Sequence, residues 1–386
     1  MTMTSRRFQL SAAAAALAFA STALAAPPSY TVEVIGVDLV GLSMNGNGIV
    51  AGRAMLSPTH GVAFVAKPSE GVQLLPMPPE WTSSDAYSIN DNGTIVGAVS
   101  MDDLADTGSH AAAWYSGGAD YFFWPLGALE GHEFSTALAV NNLEDVVGAS
   151  GGAGLGQYTN SVLFWNSQII DLAGFPLPVD VSDERRVLSG NRLLDLESMT
   201  TTTIPLPPGG WTGAVSTDVN NVGDFCGRLV AAPGCDARPA VHDATNGWTF
   251  LGECAEHTGA VAMNDRGDVL VHVAGAPSIV VYENDVPRTV ESVIAPQEGS
   301  WSIVGVAAIN AHRQILCTGL ASGVGPPLLL RLHPIIGDLD GDGDVDGADL
   351  GSLLGEWGYC PGCDADFNGN EVVEGDDLGA LLGAWS

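Results

Sequence analysis

Two Asp-rich segments near the C-terminus have the residue types and spacing of calcium-binding loops. Calcium takes roughly six to eight oxygen ligands, and a twelve-residue loop supplies them at positions 1, 3, 5, 7, 9 and 12. The first loop then offers Asp338, Asp340, Asp342, the carbonyl of Asp344, Asp346 and Asp349. The second offers Asp366, Asn368, Asn370, the carbonyl of Val372, Glu374 and Asp377. The spacing therefore predicts two Ca²⁺ sites.

Position 6 differs between the two loops. The first loop has Gly343 there, and the second has Glu371. The sharp turn at this position favours glycine, because its backbone conformation is costly for a residue with a Cβ. We expect the second site to be weaker or distorted.

Each loop is followed by apolar residues at helical spacing. The two stripes are Leu350, Leu353, Leu354 and Trp357, then Leu378, Leu381, Leu382 and Trp385. A helix this short is marginal alone. The pattern predicts two helices that pack on each other as a pseudo-twofold pair, with calcium fixing their N-terminal ends.

Residues 337–386 resemble a type I dockerin, in which each calcium loop leads into one helix. The resemblance implies calcium-dependent docking to a cohesin. Members of that family often carry a hydroxylated pair at loop positions 10 and 11, whereas this chain has Gly347-Ala348 and Gly375-Asp376. The expected partner is therefore a cohesin-like protein or another extracellular protein.

Residues 1–25 have the features of a secretory signal peptide. Arg6 and Arg7 precede an apolar stretch, and Ala23-Leu-Ala25 supplies small residues for cleavage. The arginine pair also admits twin-arginine export, although Phe8 directly follows the pair, which favours general secretion. We expect a secreted or cell-surface protein.

The charge of the chain excludes some partners. It carries 13 Lys and Arg against 45 Asp and Glu, a formal net charge of −32. Such a surface repels phosphate backbones and anionic membranes. No stretch after the signal segment is apolar over the roughly 20 residues that a membrane span needs. We expect neither nucleic-acid binding nor a membrane span.

Residues 30–333 contain a degenerate repeat, here called the turn phrase: an apolar residue, Asn, a turn, then an apolar strand often ending at Gly. The phrase positions are Asn45, Asn90, Asn141, Ser182, Asn220, Asn264 and Asn310. Their spacing is that of four-stranded propeller blades. We predict a mainly β fold: a seven-bladed β-propeller followed by a small α-helical calcium-loop domain.

A spare N-terminal strand at Tyr30–Ile35 is expected to pair with residues 328–332 and close the ring. The units resemble bacterial extracellular HAF-type repeats, as in Ala86–Gly97 followed by His110-Ala-Ala-Ala-Trp114. A two-sheet sandwich remains the alternative fold. The repeated Asn is interpreted as a turn cap, since its side chain commonly bonds the backbone two residues on.

The six cysteines belong to a chain expected to be exported, so disulfides are the default. Cys360 and Cys363 are predicted to form a local staple. Cys226 and Cys235 are placed to bridge neighbouring strands of one blade. The partners of Cys254 and Cys317 stay open.

The sequence contains no recognisable catalytic or cofactor motif. We expect a non-catalytic binding or display protein, whose calcium module docks the propeller to a cell-surface or extracellular complex. Carbohydrate is a further candidate ligand, because several tryptophans could offer aromatic surface, although Trp114 and Trp165 are expected in blade cores. The alternative is an extracellular carbohydrate-active enzyme, a glycoside hydrolase or lyase that carries a dockerin.

Overall fold

The computed structural model describes residues 29–68, 70–101, 108–118, 120–152, 158–254, 259–272, 279–283, 286–340, 343–360, 363–368, 370 and 372–385. The predicted signal segment, Asp342 and Glu371 lie outside these residues.

Strands dominate the chain up to Pro334. The first strand is β1 (Tyr30–Val37). Six groups of four follow: β2 (Leu39–Met44), β3 (Val50–Ser57), β4 (His60–Lys67), β5 (Gly71–Leu74); β6 (Ser83–Ile89), β7 (Ile95–Ser100), β8 (His110–Ser116), β9 (Tyr121–Pro125); β10 (Phe134–Val140), β11 (Val146–Gly151), β12 (Asn160–Trp165), β13 (Gln168–Asp171); β14 (Asp180–Val181), β15 (Arg186–Ser189), β16 (Arg192–Asp195), β17 (Thr200–Thr203); β18 (Gly213–Val219), β19 (Phe225–Ala232), β20 (Cys235–Asp243), β21 (Gly247–Phe250); and β22 (Gly259–Met263), β23 (Val269–His272), β24 (Ile279–Glu283), β25 (Val286–Thr289). The last three are β26 (Trp301–Ile309), β27 (Ile315–Ala321) and β28 (Leu328–Pro334).

The sheets have the architecture of a β-propeller. Within the described residues, six four-stranded sheets are each built from four consecutive strands, β2–β5 through β22–β25. A further four-stranded sheet, here called the composite sheet, has the order β1-β28-β27-β26. The propeller prediction is confirmed. The described residues form six blades of consecutive strands, in place of the seven blades predicted.

The N-terminal strand pairs where the sequence predicted. β1 runs antiparallel to β28, with Tyr30 opposite Pro334 and Val34 opposite Leu330. Tyr30 is almost fully buried, and its carbonyl accepts a hydrogen bond from the Ala295 amide at 2.9 Å. This pairing covers the outer edge of β28, which would otherwise expose unpaired backbone groups.

The glycine that ends a turn phrase permits a close approach between neighbouring strands. At Gly52, Gly97 and Gly148, an added Cβ would overlap the carbonyl oxygen of the innermost strand of the same sheet. The register of each strand pair shifts by one residue beside this position. Glycine is required there because any side chain would separate the two strands at the bulge.

The apolar core lies between neighbouring sheets. In one cluster, Val65 of the first sheet packs with Ile95 and the fully buried Trp114 of the second. Equivalent clusters join the later sheets. Face-to-face packing of twisted sheets buries the apolar residues of each inner strand and holds the turn phrases at one end of the channel.

The C-terminal segment contains the two helices of the described chain. They are α1 (Gly347–Gly355) and α2 (Gly375–Gly383), and two short strands, β29 (Gly358–Tyr359) and β30 (Val372–Val373), pair antiparallel between them. No helix in the described part of the chain has the length and apolarity of a membrane span.

Candidate functional site

The first Asp-rich loop brings three of its predicted ligands together. Ligand atoms of Asp338, Asp340 and Asp349 lie within 4.8 Å of one another. Asp338 and Asp349 are buried, whereas Asp340 is exposed. An all-oxygen set of carboxylates at this separation fits a hard cation such as Ca²⁺.

Backbone hydrogen bonds fix these carboxylates in place. Asp349 accepts from the amides of Leu339 (2.7 Å), Asp340 (3.1 Å) and Asp346 (2.7 Å). Asp338 accepts from the Gly343 amide at 3.1 Å. Gly343 has a φ of 95°, the left-handed geometry expected for position 6.

Three further first-loop residues, Asp344, Val345 and Asp346, are also described. Asp344 and Asp346 are exposed, and Asp346 is the N-cap of α1, accepting from the Ala348 amide at 2.7 Å. Val345 is buried in the core of the C-terminal segment. Asp342 lies outside the described residues.

The second loop repeats the same backbone pattern. Asp377 accepts from the amides of Phe367 (2.9 Å), Asn368 (3.4 Å) and Glu374 (2.9 Å), as Asp349 does in the first loop. Asp366 is buried and accepts from the Asn370 amide at 3.1 Å. The remaining predicted positions are partly or fully exposed: Asn368, Asn370, Val372 and Glu374.

The helical stripes pack differently from the sequence prediction. Leu353 and Leu381 are fully buried in the shared core, and Leu350 and Leu378 pack at its margin. The other stripe residues are exposed by about half: Leu354 (54%), Trp357 (49%), Leu382 (52%) and Trp385 (46%). The two helices share one core, as the sequence predicts, but half of each stripe lies outside it, since a core this small covers about one residue per turn. The four exposed residues are here called the Leu/Trp patch.

Hydrogen bonds from the phrase asparagines link the sheets around the channel. Each Nδ2 donates to the backbone carbonyl of the equivalent residue in the next sheet: Asn45 to Asn90 (2.9 Å), Asn90 to Asn141 (2.8 Å), Asn141 to Ser182 (2.9 Å), Asn220 to Asn264 (3.3 Å), Asn264 to Asn310 (3.0 Å) and Asn310 to Asn45 (3.0 Å). Oδ1 of Asn45 accepts from the amides of Asn47 and Ile49, which confirms the predicted turn cap. Ser182 has no side-chain amide, so this ring of asparagine hydrogen bonds is interrupted there.

A pair of carboxyl groups lines the channel beside this interruption. The position two residues before the phrase residue holds Ser or Ala in the other units but Asp180 and Asp218 in two adjacent ones. The two side chains are hydrogen-bonded to each other, and they accept from the amides of Val219 (3.0 Å) and Met263 (2.8 Å), respectively. The adjoining cavity has a volume of about 310 Å³.

The electrostatics of this pair favour one shared proton. Burial raises the pKa of both carboxyl groups. The neighbouring charge of Asp180 raises the pKa of Asp218 further, well above its usual value. Two adjacent carboxyl groups cannot both ionise cheaply, so the pair favours retaining one shared proton.

Sequence reasoning missed this pair, although a signal was present. Aligning the seven turn phrases on their Asn or Ser position puts acidic residues two places upstream only at Asp180 and Asp218.

One predicted disulfide is confirmed and another is wrong. Cys360 pairs with Cys363 as expected. Cys235 pairs with Cys254, with an S–S distance of 2.04 Å, and not with Cys226. Cys226 lies opposite Val241 on β20, several residues from Cys235, so the two thiols cannot meet.

The two remaining thiols, Cys226 and Cys317, are buried. Burial is the main cause that raises the pKa of each, and a nearby carboxylate adds to it. Both therefore stay in the thiol form, which is a poor nucleophile.

Of the two tryptophans predicted to lie in blade cores, one is buried and one is exposed. Trp114 is fully buried, as expected. Trp165 is 44% exposed, against the expectation of a core position, because it lies at the hairpin end opposite Gln168. Trp124 is 55% exposed on the outer strand β9.

A cavity of about 440 Å³ lies between the propeller and the C-terminal segment. Its propeller side includes Arg266, His312 and Arg313, and its other side includes Asp364 and Phe367. The two Asp-rich loops, at Asp338 and Asp366, are therefore close to the turn phrases of the last units.

Comparisons with known proteins find structural similarity only. No family model matches the chain, and no curated protein matches its sequence. Virginiamycin B lyase from Staphylococcus aureus is 11% identical with a TM-score of 0.47, over 79% of this chain and 100% of that chain. The aldose sugar dehydrogenase from Escherichia coli is 9% identical with a TM-score of 0.35, over 79% and 100%. AofleA from Arthrobotrys oligospora is 9% identical with a TM-score of 0.38, over 79% and 86%.

Proposed function

We propose that this chain is a secreted, non-catalytic binding protein, in which a dockerin-like calcium module docks a seven-bladed propeller to a cell-surface or extracellular partner. The observation that carries the proposal is the convergence of Asp338, Asp340 and Asp349 in a loop whose hydrogen-bonding pattern recurs around Asp377. Such a pair of loops is typical of a module that folds around Ca²⁺.

Bound Ca²⁺ would neutralise the carboxylates that each loop gathers at the start of a helix. In the first loop the ligands are the predicted set that starts at Asp338 and ends at Asp349. In the second loop they are the set that starts at Asp366 and ends at Asp377. Asp349 and Asp377 each accept hydrogen bonds from three backbone amides, so each loop is preorganised for a cation.

The seventh blade in this proposal is the composite sheet. Asn310 of its turn phrase donates to the carbonyl of Asn45 in the first sheet, at 3.0 Å. Leu316 and Leu329 of the composite sheet pack with Val50 and Phe64 of the first. Both contacts favour a ring of seven units over an open array of six.

The docking surface is the Leu/Trp patch. Exposed apolar residues that recur in both halves of a small module favour a protein partner, since contiguous exposed apolar surface often marks an interaction site. The partner is a cohesin-like or other extracellular protein. Gly347-Ala348 and Gly375-Asp376 stand where dockerins often carry a hydroxylated pair. Their lack of hydroxyl groups favours a partner that recognises apolar side chains.

Calorimetric titration of Ca²⁺ into the full chain tests the proposal. We expect two sites in the parent protein and the loss of one site in each of Asp340→Ala and Asp366→Ala. Asp376→Ala, an exposed acidic residue outside both ligand sets, is the matched control and should keep both sites. The absence of binding at millimolar Ca²⁺, in protein whose circular dichroism shows the β fold, would overturn the proposal.

Carbohydrate is the proposed ligand of the propeller. Tyr115 and Phe122 pair across β8 and β9, and Trp124 lies on the same face because alternate strand residues share a face. All three are exposed, by 39%, 63% and 55%. A row of exposed aromatic rings can stack on sugar rings. Glycan-array binding that Trp124→Ala abolishes and Trp165→Ala retains would support this ligand, and no glycan binding would exclude it.

The alternative function is an extracellular carbohydrate-active enzyme. The observation that favours it is the Asp180 and Asp218 pair, because a proton shared by two carboxyl groups can serve general acid catalysis. A glycan hydrolysis screen distinguishes the two. Hydrolysis that Asp218→Asn abolishes would replace the binding proposal with the enzymatic one.

A further inference from the structure

The first calcium loop is joined directly to the strand that completes the composite sheet. The amide of Ser29, the residue before β1, donates to Oδ2 of Asp338 at 3.1 Å. The carbonyl of Ser29 accepts from the Ile335 amide at 2.8 Å. Both Ser29 and Asp338 are buried. The carboxylate that opens the calcium loop therefore also holds the start of β1.

A second contact joins the region before the other loop to the turn phrases. Arg313 is 8% exposed, and its Nε donates to Asp268 at 3.0 Å while its Nη1 donates to Asp364 at 2.6 Å. Asp268 belongs to the turn phrase of the sixth sheet, and Asp364 lies two residues before the second loop. One buried guanidinium thus joins two propeller units to the C-terminal segment.

The same propeller pair occurs elsewhere without the third partner. Arg185 donates to Asp145 through Nε (2.8 Å) and Nη2 (2.9 Å), and it occupies the phrase position equivalent to Arg313. Both arginines have a positive φ, 61° and 60°. The contact to Asp364 is therefore an addition to a repeated propeller contact, and Arg185 provides an internal control.

A third contact lies at the glycine of the first loop. Nε2 of Gln297, in a short 3-10 turn before β26, donates to the carbonyl of Gly343 at 3.3 Å. The same turn region anchors β1, because the Ala295 amide donates to the Tyr30 carbonyl. The loop and the closing strand therefore share one support.

We infer that the calcium module is docked on the propeller, and that Ca²⁺ in the first loop stabilises closure of the propeller ring through Ser29 and β1. This inference rests on the proposed calcium binding. It adds that bound Ca²⁺ regulates the stability of the propeller ring. A ligand that binds only the folded, docked state stabilises every element whose unfolding releases it. A carboxylate held by Ca²⁺ keeps its position, and the Ser29 amide keeps its acceptor.

Hydrogen exchange of the full chain, measured by mass spectrometry with Ca²⁺ and with a chelator, tests this coupling. We expect Ca²⁺ at about 100 times its dissociation constant to slow exchange of the amides in β1 by up to about 100-fold. Peptides from β10–β13, which are remote from the module, should be unaffected. Asp364→Ala removes the acceptor of the Arg313 contact without altering either predicted ligand set, and should reduce the calcium effect on β1 at least severalfold.

Two further variants separate docking from folding. Arg313→Ala should also reduce the calcium effect on β1. Arg185→Ala removes the equivalent propeller contact to Asp145 but should leave the calcium effect on β1 unchanged. Calorimetry on the same samples shows whether Ca²⁺ binds. Binding without any change in β1 exchange would overturn the coupling and leave the proposed function standing, whereas no binding would overturn both.

Discussion

Nδ2 of Asn310 donates to the backbone carbonyl of Asn45 at 3.0 Å, across 265 residues of sequence. This bond joins the turn phrase of the composite sheet to that of the first sheet. Every other bond of the asparagine ring links consecutive units. The hydrogen bond from Asn310 therefore forms only when the first and last units are in contact.

Replacement of Asn310 by Ser, the residue that the fourth unit has naturally, should destabilise the propeller by about 1–3 kcal/mol. The cause is the loss of a buried donor and of the Oδ1 that caps the turn. Urea denaturation measures the change. The reverse substitution, Ser182→Asn, supplies the missing amide beside Asn220 and should stabilise the protein. Equal stability of the Asn310→Ser variant and the parent would show that the bond does not contribute to ring closure.

The repeat pattern predicted the propeller because each unit contains the same local information. A positive-φ residue recurs in every phrase, a turn-capping Asn in all but the fourth, and a glycine at the bulge in four of the seven. The β1 pairing was also predictable, since a spare strand and an incomplete last unit were both visible.

Contacts between units were less predictable. The Asp180 and Asp218 pair depends on how closely the first strands of two adjacent sheets approach, and the Arg313 contact to Asp364 depends on where the C-terminal segment docks. The exposure of the Leu/Trp patch could not be predicted, because helical spacing identifies an apolar face but does not say how much of it a small core covers. The Cys235 partner likewise depended on the loop path after β21.

The Asp180 and Asp218 pair predicts an unusual dependence of stability on pH. The pKa of Asp218 is higher in the folded state than in the unfolded state. The protonated form of Asp218 therefore contributes its full stabilisation below the unfolded-state pKa of about 3.9. This stabilisation is lost as the pH rises through the folded-state pKa. Asp218→Asn keeps a neutral donor for Asp180. The variant should therefore gain stability relative to the parent protein as the pH increases through that window.

Urea denaturation at a series of pH values provides the measurement, and Asp243→Asn provides a control of opposite sign. Backbone amides, first that of Asn246, lower the pKa of Asp243. That carboxylate stabilises the fold above its unfolded-state pKa and loses the effect as the pH falls. Parallel curves for Asp218→Asn and the parent would contradict the shared proton.

The Leu/Trp patch predicts a contrast between neighbouring residues on each helix. Leu353→Ala should destabilise the C-terminal segment by about 2–5 kcal/mol, because Leu353 is fully buried. Trp357→Ala removes a larger side chain, yet should cost less than the Leu353 substitution, because about half of Trp357 is already exposed. Hydrogen exchange of peptides from 343–360 reports both values, and a large loss for Trp357→Ala would mean that the patch is part of the fold.

The cysteine pairing predicts both a thiol count and a stability change. Protein unfolded without reductant should show two reactive thiols, from Cys226 and Cys317, and the folded protein should react slowly because both are buried. The Cys235 and Cys254 bridge has a sequence separation of 19. The double variant Cys235→Ser and Cys254→Ser should lose about 3 kcal/mol, because the unfolded chain regains the entropy of that loop. Urea denaturation of the variant and thiol titration of the parent are independent measurements, and four reactive thiols in the unreduced parent would rule out the pairing.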